Sequence, residues 1–230
     1  MNRSSRGLAA LLLSVAVLAP FAAHAAAPLP RNQQARYGTE PPSEAERTAD
    51  RRFVEAMAVV HGGDRRKASD DAARRGWDAF GASRPDEAMV RFNQAWLLDA
   101  NNPRALWGMA VVTGGRKEVA TSLALFAEAE PALRDDPMFR MGYAQVLGLD
   151  AQRSKDPARV ADALSRFADV DRVAPTNTLN LQNWARLLLA LDRDDEALAL
   201  LQRVRAVRPG ALDPGLVETL ARRRATRSAP

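Results

Sequence analysis

Gly76-Trp77-Asp78-Ala79-Phe80, then Ser83-Arg84-Pro85-Asp86-Glu87-Ala88, then Phe92 and Ala95, closing on Leu98-Asp99-Ala100-Asn101-Asn102-Pro103, is the stretch that decides the fold. It reads as two helices joined by a short turn, and its small and bulky positions recur down the chain. One small column is Ala88, Ser122, Ala163, Ala197; a bulky column is Phe92, Phe126, Phe167, Leu201; a third is Ala95, Ala129, Val170, Val204. Successive members of each column lie 34, 41 and 34 residues apart. On the preceding helix the small column Gly76, Ala110, Ala144, Ala185 has spacings of 34, 34 and 41. A seven-residue insertion therefore falls in the third unit, between Ala144 and Ala163, and the run from Gly148 to Pro157 is its expected loop.

The residue types follow from helix packing. Two antiparallel helices approach closely only where Gly or Ala marks the crossing. A bulky residue four positions along the second helix then fills the gap to the next unit. No single unit buries its own apolar face, so the units must stack. An unrelated bundle whose alanines align by chance would not place four columns in one register. Turn chemistry marks the same joins: Pro103, Pro137, Pro175 and Pro209 fall near repeat boundaries, where a helix must end or begin. Acidic residues at 86–87 and 194–196 sit where a second helix starts and complement its dipole.

This pattern resembles the tetratricopeptide-repeat (TPR) family, in which a small residue and an aromatic on the first helix precede alanine, aromatic and alanine on the second. The resemblance implies an all-α, right-handed superhelix of about four helix-turn-helix repeats. The repeats are expected at 69–102, 103–136, 137–177 and 178–211. Gly76-Trp77 with Phe80, the run Arg91-Phe92-Asn93-Gln94-Ala95-Trp96-Leu97-Leu98-Asp99, and Trp107-Gly108 are also similar to a group of exported bacterial TPR proteins. That likeness covers about one and a half repeats and implies no activity.

Elements flank the array on both sides. Arg3 and Arg6, the apolar run from Gly7 to Phe21, and Ala23-His24-Ala25 compose a cleavable export signal over 1–25. The run is too short for a transmembrane anchor. Residues 26–43 carry Pro28, Pro30, Pro41 and Pro42 without apolar periodicity and read as a flexible leader. Residues 44–62 read as an N-terminal capping helix with Ala49, Phe53, Ala56, Met57 and Val60 on one side. Residues 212–230 supply a C-terminal capping helix and a frayed basic tail of Arg222, Arg223, Arg224 and Arg227.

Composition excludes much chemistry. The chain has no cysteine, which removes disulfides, thiolate metal sites, thiol nucleophiles and a lipidated export signal together. Of two histidines, His24 leaves with the signal and His61 stands alone at a helix end beside Gly62-Gly63. Neither a histidine triad nor a multi-histidine metal site can be assembled. Asp70-Asp71, Asp135-Asp136 and Asp194-Asp195 lack calcium-loop spacing and suit helix starts. Gly114-Gly115-Arg116-Lys117 sits at a turn between helices and has no phosphate-loop pattern. No catalytic residue, cofactor or metal is expected. Net charge is +5, and loss of Arg3 and Arg6 lowers it further, so no nucleic-acid partner is implied.

What remains is binding. In TPR proteins the first helices line the concave wall. The resemblance places a groove at Trp77, Phe80, Arg104, Trp107, Val111, Met141, Gln145, Gln182 and Arg186, with Asp70, Ala73, Gly114, Met138, Gly148, Leu179 and Leu189 at further groove positions. Arg104 and Arg186 flank this groove, but the combined lysine, asparagine and arginine set of a carboxylate clamp is lacking. The expected ligand is an apolar protein or peptide segment held between aromatic and methionine side chains. Trp184 belongs to the core, and Trp77 and Trp107 suit core packing as well as they suit the groove. Asn93, Gln94 and Trp96 exceed what helix packing needs and are candidates for a second contact on the convex side. The expectation is a non-enzymatic adaptor, periplasmic or else fully secreted, and not integral to a membrane. The alternative is an envelope assembly or secretion accessory that touches anionic components through its basic C-terminus.

Overall fold

A computed structural model describes residues 29–228. The expected export signal, the first residues of the leader and the last two residues lie outside that range. Among the described residues ten α-helices run in order: α1 Glu44–Val60, α2 Arg65–Gly81, α3 Pro85–Leu98, α4 Pro103–Gly115, α5 Val119–Leu133, α6 Pro137–Ser154, α7 Pro157–Val173, α8 Thr178–Ala190, α9 Asp194–Val207 and α10 Pro214–Ser228. There is no strand among the described residues.

Helix starts follow local chemistry. Asn102, Asp136, Asp156 and Asn177 each accept backbone N–H groups from the first turn of the helix they precede, satisfying donors that have no partner within the helix. Pro85, Pro103, Pro137 and Pro157 occupy first-turn positions, where a missing N–H costs nothing. Ser43 and Glu46 close a reciprocal capping box on α1.

The repeat columns are the core. Ala88, Phe92, Ala95, Phe126, Ala129, Ala163, Val170, Ala197, Val204, Ala110, Ala144 and Ala185 have essentially no exposed surface. Phe92 of α3 is wedged between α2 and α4. A Cβ added at either Gly76 or Gly108 would fall within 3.0 Å of its ring. Phe126 repeats the device one unit on, stacked on Tyr143 at 5.1 Å and edge-on to Phe139 at 5.4 Å. Ser122 keeps its place in a small column because its hydroxyl donates to the Ala110 carbonyl at 2.6 Å.

Several expectations need correcting. The insertion is not a loop. It lengthens α6 to 18 residues, against 13 in α4 and α8. Leu149, Ala151, Gln152 and Arg153 are good helix formers, and Ala151 is fully buried, so the chain continues as helix until Lys155 turns left-handed at φ 52°. The first repeat begins at Arg65, four residues earlier than expected, because Asp64 caps α2 by accepting from the Lys67 N–H. Helix α1 does cover the first repeat, but through Phe53, Val54 and Met57, packed on the cluster around Ala68, Ala72 and Ala95. Ala49, Ala56 and Val60, expected on the packed side, are exposed. The packed stripe is narrow, two helical turns at most.

The basic C-terminus is not frayed either. Helix α10 continues to Ser228, and its arginines face the acidic start of α9. Arg223 Nε lies 2.9 Å from Asp194 and its guanidinium also meets Asp192; Arg227 lies 3.0 Å from Asp194 and Arg224 2.7 Å from Asp195. The Arg223 guanidinium beside Asp192 holds that carboxyl below the usual carboxylate range. A carboxylate whose folded pKa is depressed stabilises above its ordinary range and ceases to as pH falls through the folded value. Docking of α10 therefore weakens in acid. Asp194 itself is buried. A buried carboxylate needs such partners, which is why the tail is ordered.

Candidate functional site

The first helices of the repeats come together around a cavity of about 350 Å³. Helix α2 contributes Trp77 and Phe80, α4 contributes Trp107 and Val111, and α6 contributes Met141 and Gln145. The two indoles form one wall, their ring centroids 4.5 Å apart and tilted by 54°. Trp77 backs onto the Phe92 wedge at 5.4 Å and Phe80 at 5.9 Å, and Trp107 backs onto Phe139 at 5.9 Å. Each indole therefore belongs to the core by one face and to the cavity by the other. The Trp107 indole nitrogen is buried and has no hydrogen-bond partner, beside Gly142, where an added Cβ would stand 3.8 Å away.

The wall continues to Met138 and Leu179, which are 53% and 48% exposed and form its mouth. Gly114, Gly115 and Gly142 leave its floor open. Every lining side chain is uncharged. Leu149 also reaches the wall, and sequence reasoning missed it because it lay in the stretch taken for a loop. Its place one helical turn after Gln145 was the available signal, had the insertion been read as helix.

Arg104, Gln182 and Arg186 do not line this cavity, nor do Asp70, Ala73, Gly148 and Leu189. Arg104 is exposed and does not line the cavity. Gln182 is buried and holds the C-terminal connection: its Oε1 accepts from the Asp213 N–H at 2.6 Å and its Nε2 donates to the Thr178 carbonyl. Arg186 pairs with Asp213 at 2.9 Å and donates to Asn183. These two secure α10 to the fourth repeat. Of the expected arginine flank, Arg186 is held by Asp213 while it lines a neighbouring hollow with Gln145 and Leu149.

The outer face, formed by α3 and α5, departs from expectation in another way. Residues 29–38, taken for flexible leader, lie against it as two short turns, Arg31–Gln33 and Ala35–Tyr37. Asn93 is fully buried beneath them and donates to the Asn32 and Gln34 carbonyls at 2.8 and 2.7 Å. Arg116 donates to the intervening Gln33 carbonyl at 2.6 Å. Trp96 lies under the Arg36 guanidinium at 5.9 Å. Gln94 accepts from Arg91 at 3.1 Å. Proline content and missing periodicity mark a segment without regular structure; they do not report on carbonyls that a neighbouring helix can bind.

His61 caps α1, its Nδ1 2.9 Å from the Met57 carbonyl and its Nε2 3.8 Å from Asp71. Among the described residues no three His, Asp or Glu side chains are grouped to hold a metal. None of the described helices is long and apolar enough to cross a membrane.

No family model matches the chain, and a search of curated proteins found no match. Solved structures do match. The thermophilic TPR protein TTC0263 of Thermus thermophilus superposes with a TM-score of 0.56 at 19% identity, over 70% of this chain and 83% of that one. PilF of Pseudomonas aeruginosa gives 0.54 at 16%, over 70% and 71%. MamA from Desulfovibrio magneticus gives 0.50 at 16%, over 64% and 77%. At such identities the likeness establishes the fold, an all-α TPR solenoid.

Proposed function

We propose that the chain is a non-enzymatic, exported scaffold that takes an apolar, uncharged segment of a partner protein into the groove around Trp77, Trp107 and Met141. The observation that carries this reading is the groove itself: about 350 Å³, walled by two indoles and two methionines, without one charged side chain. An ionised ligand group would be desolvated there with nothing to pair with. An apolar segment gains by burial.

Substituting the indoles would be a poor test, because both support the core. Met138 and Leu179 are exposed at the mouth and can be changed without disturbing it. Peptides selected from a random displayed library on the native chain should be apolar and uncharged. Their affinity should fall at least about tenfold on the Met138→Glu/Leu179→Glu double variant, since each new charge meets apolar surface, while the unfolding midpoint holds. Acidic selected peptides, or equal binding to the double variant, would sink the groove reading.

Export rests on Arg3, Arg6, the apolar run to Phe21 and Ala23-His24-Ala25. Mass analysis of the chain recovered from the cell envelope should give a first residue of Ala26, and a chain that retains Met1 overturns export. Contact with anionic envelope components through the C-terminal arginines is not favoured. Arg223, Arg224 and Arg227 are already paired with Asp192, Asp194 and Asp195.

A further inference from the structure

The outer face of the first two repeats carries a second constellation, independent of the groove. Asn93 and Arg116 take three successive backbone carbonyls, those of Asn32, Gln33 and Gln34, at 2.6 to 2.8 Å. Arg116 is held for this by Asp86 at 2.6 Å. Beyond the carbonyls, Ala35 packs on the main core cluster, and Arg36 pairs with Glu128 while lying over Trp96. Arg31 covers the Tyr37 ring at 5.0 Å, and burial pushes the Tyr37 phenol up to about 12. Arg36 and Tyr37 both take left-handed backbone, φ 54° and 63°. Two such non-glycine residues in succession persist only where surrounding contacts hold them.

Helix packing alone asks for none of this. Each buried N–H of an asparagine in a TPR second helix is costly unless it finds an acceptor; here both N–H groups go to a segment about 60 residues away in sequence, and the Oδ1 has no partner. We propose that Asn93, Arg116, Trp96 and Glu128 form a peptide-binding site, specific for a short segment that offers three consecutive carbonyls, a small apolar residue and an arginine, and that residues 29–38 of this chain are its resident ligand. The site reads the backbone with two side chains and checks sequence at two positions. A strap bound this way joins α3 to the α4–α5 turn and to α5, directly behind the Phe92 wedge. It fixes the first repeat on the second.

The test displaces the strap without touching the repeats. In the full chain, Ala35→Asp with Arg36→Glu places charge in the apolar contact and opposes Glu128, so the strap leaves and the site opens. A fluorescein-labelled peptide of residues 29–38 should then bind in trans, followed by anisotropy. The native chain, its site filled in cis, should bind the peptide at least about tenfold more weakly. Adding Asn93→Leu to the displaced variant should lose binding by at least about tenfold, because the two N–H donors to the strap carbonyls go at once. Trypsin supplies a second readout in the otherwise native chain: Asn93→Leu should speed cleavage after Arg36 at least about tenfold, with cleavage inside α2–α9 unchanged. Peptide binding that ignores Asn93, no binding to the displaced variant, or equal Arg36 cleavage in native and Asn93→Leu chains each overturn the proposal.

Discussion

Phe126→Ala is expected to destabilise the array by about 3–5 kcal/mol, the range for truncating a fully buried aromatic ring. Phe126 has no exposed surface, lies parallel to Tyr143 with 4° between the planes, and meets Phe139 edge-on. The hole left would be bounded by three helices that cannot all close on it, because α4 and α6 are already set by Phe92 on one side and Phe167 on the other. Chemical denaturation followed by circular dichroism reads the loss. For a chain of this size it corresponds to a fall in melting temperature of about 2–4 °C per kcal/mol. A solenoid is coupled through nearest neighbours, so amide exchange should accelerate most in α4 to α6 and least in α9. A loss below about 1 kcal/mol would mean that the repeat register places another residue in the gap.

Gly108→Ala should carry the second-largest effect, and its sign is the informative part. In a solvent-facing helix, replacing glycine with alanine stabilises by roughly 0.5–1 kcal/mol. At Gly108 the new methyl would fall within 3.0 Å of the Phe92 ring, and that ring is held from the far side by Gly76 and by Trp77 at 5.4 Å. Nothing there is the free end of a flexible chain. Overpacking of this kind costs about 1–3 kcal/mol, which exceeds the propensity gain. Gly115 ends the same helix with no atom within 4 Å of an added Cβ, so Gly115→Ala should be neutral or slightly stabilising. If both variants stabilise, the Phe92 ring has room and the close approach of α2 and α4 is not what the glycines serve.

These two experiments probe what could be read most directly. The small and bulky columns share one register because α-helices joined by short turns have little freedom in how they stack. A fixed spacing of Ala, Phe and Ala therefore names both the crossing points and the plugs. Most of the groove follows from the same register: Trp77, Phe80, Trp107, Val111, Met141 and Gln145 all meet at the cavity. Arg104, Gln182 and Arg186 do not. Consensus position tells which way a side chain points, but not whether a carboxylate such as Asp213 claims it first. The insertion is helix because Leu149, Ala151, Gln152 and Arg153 favour helix and Ala151 is buried.

The sequence by itself determined the repeat, its period, the identity of the plugs and the scarcity of catalytic side chains, because these depend on periodicity and composition alone. Only the tertiary structure decided what happens at the ends and on the outer face. Leader residues 29–38 carry no periodic signal, yet their carbonyls are bound by Asn93 and Arg116. The C-terminal arginines look like a solvated tail until α10 brings them to Asp192 and Asp194. Hydrogen bonds and ion pairs between residues 29 to 83 positions apart have no local pattern; they exist only once the solenoid has brought the two partners to the same place.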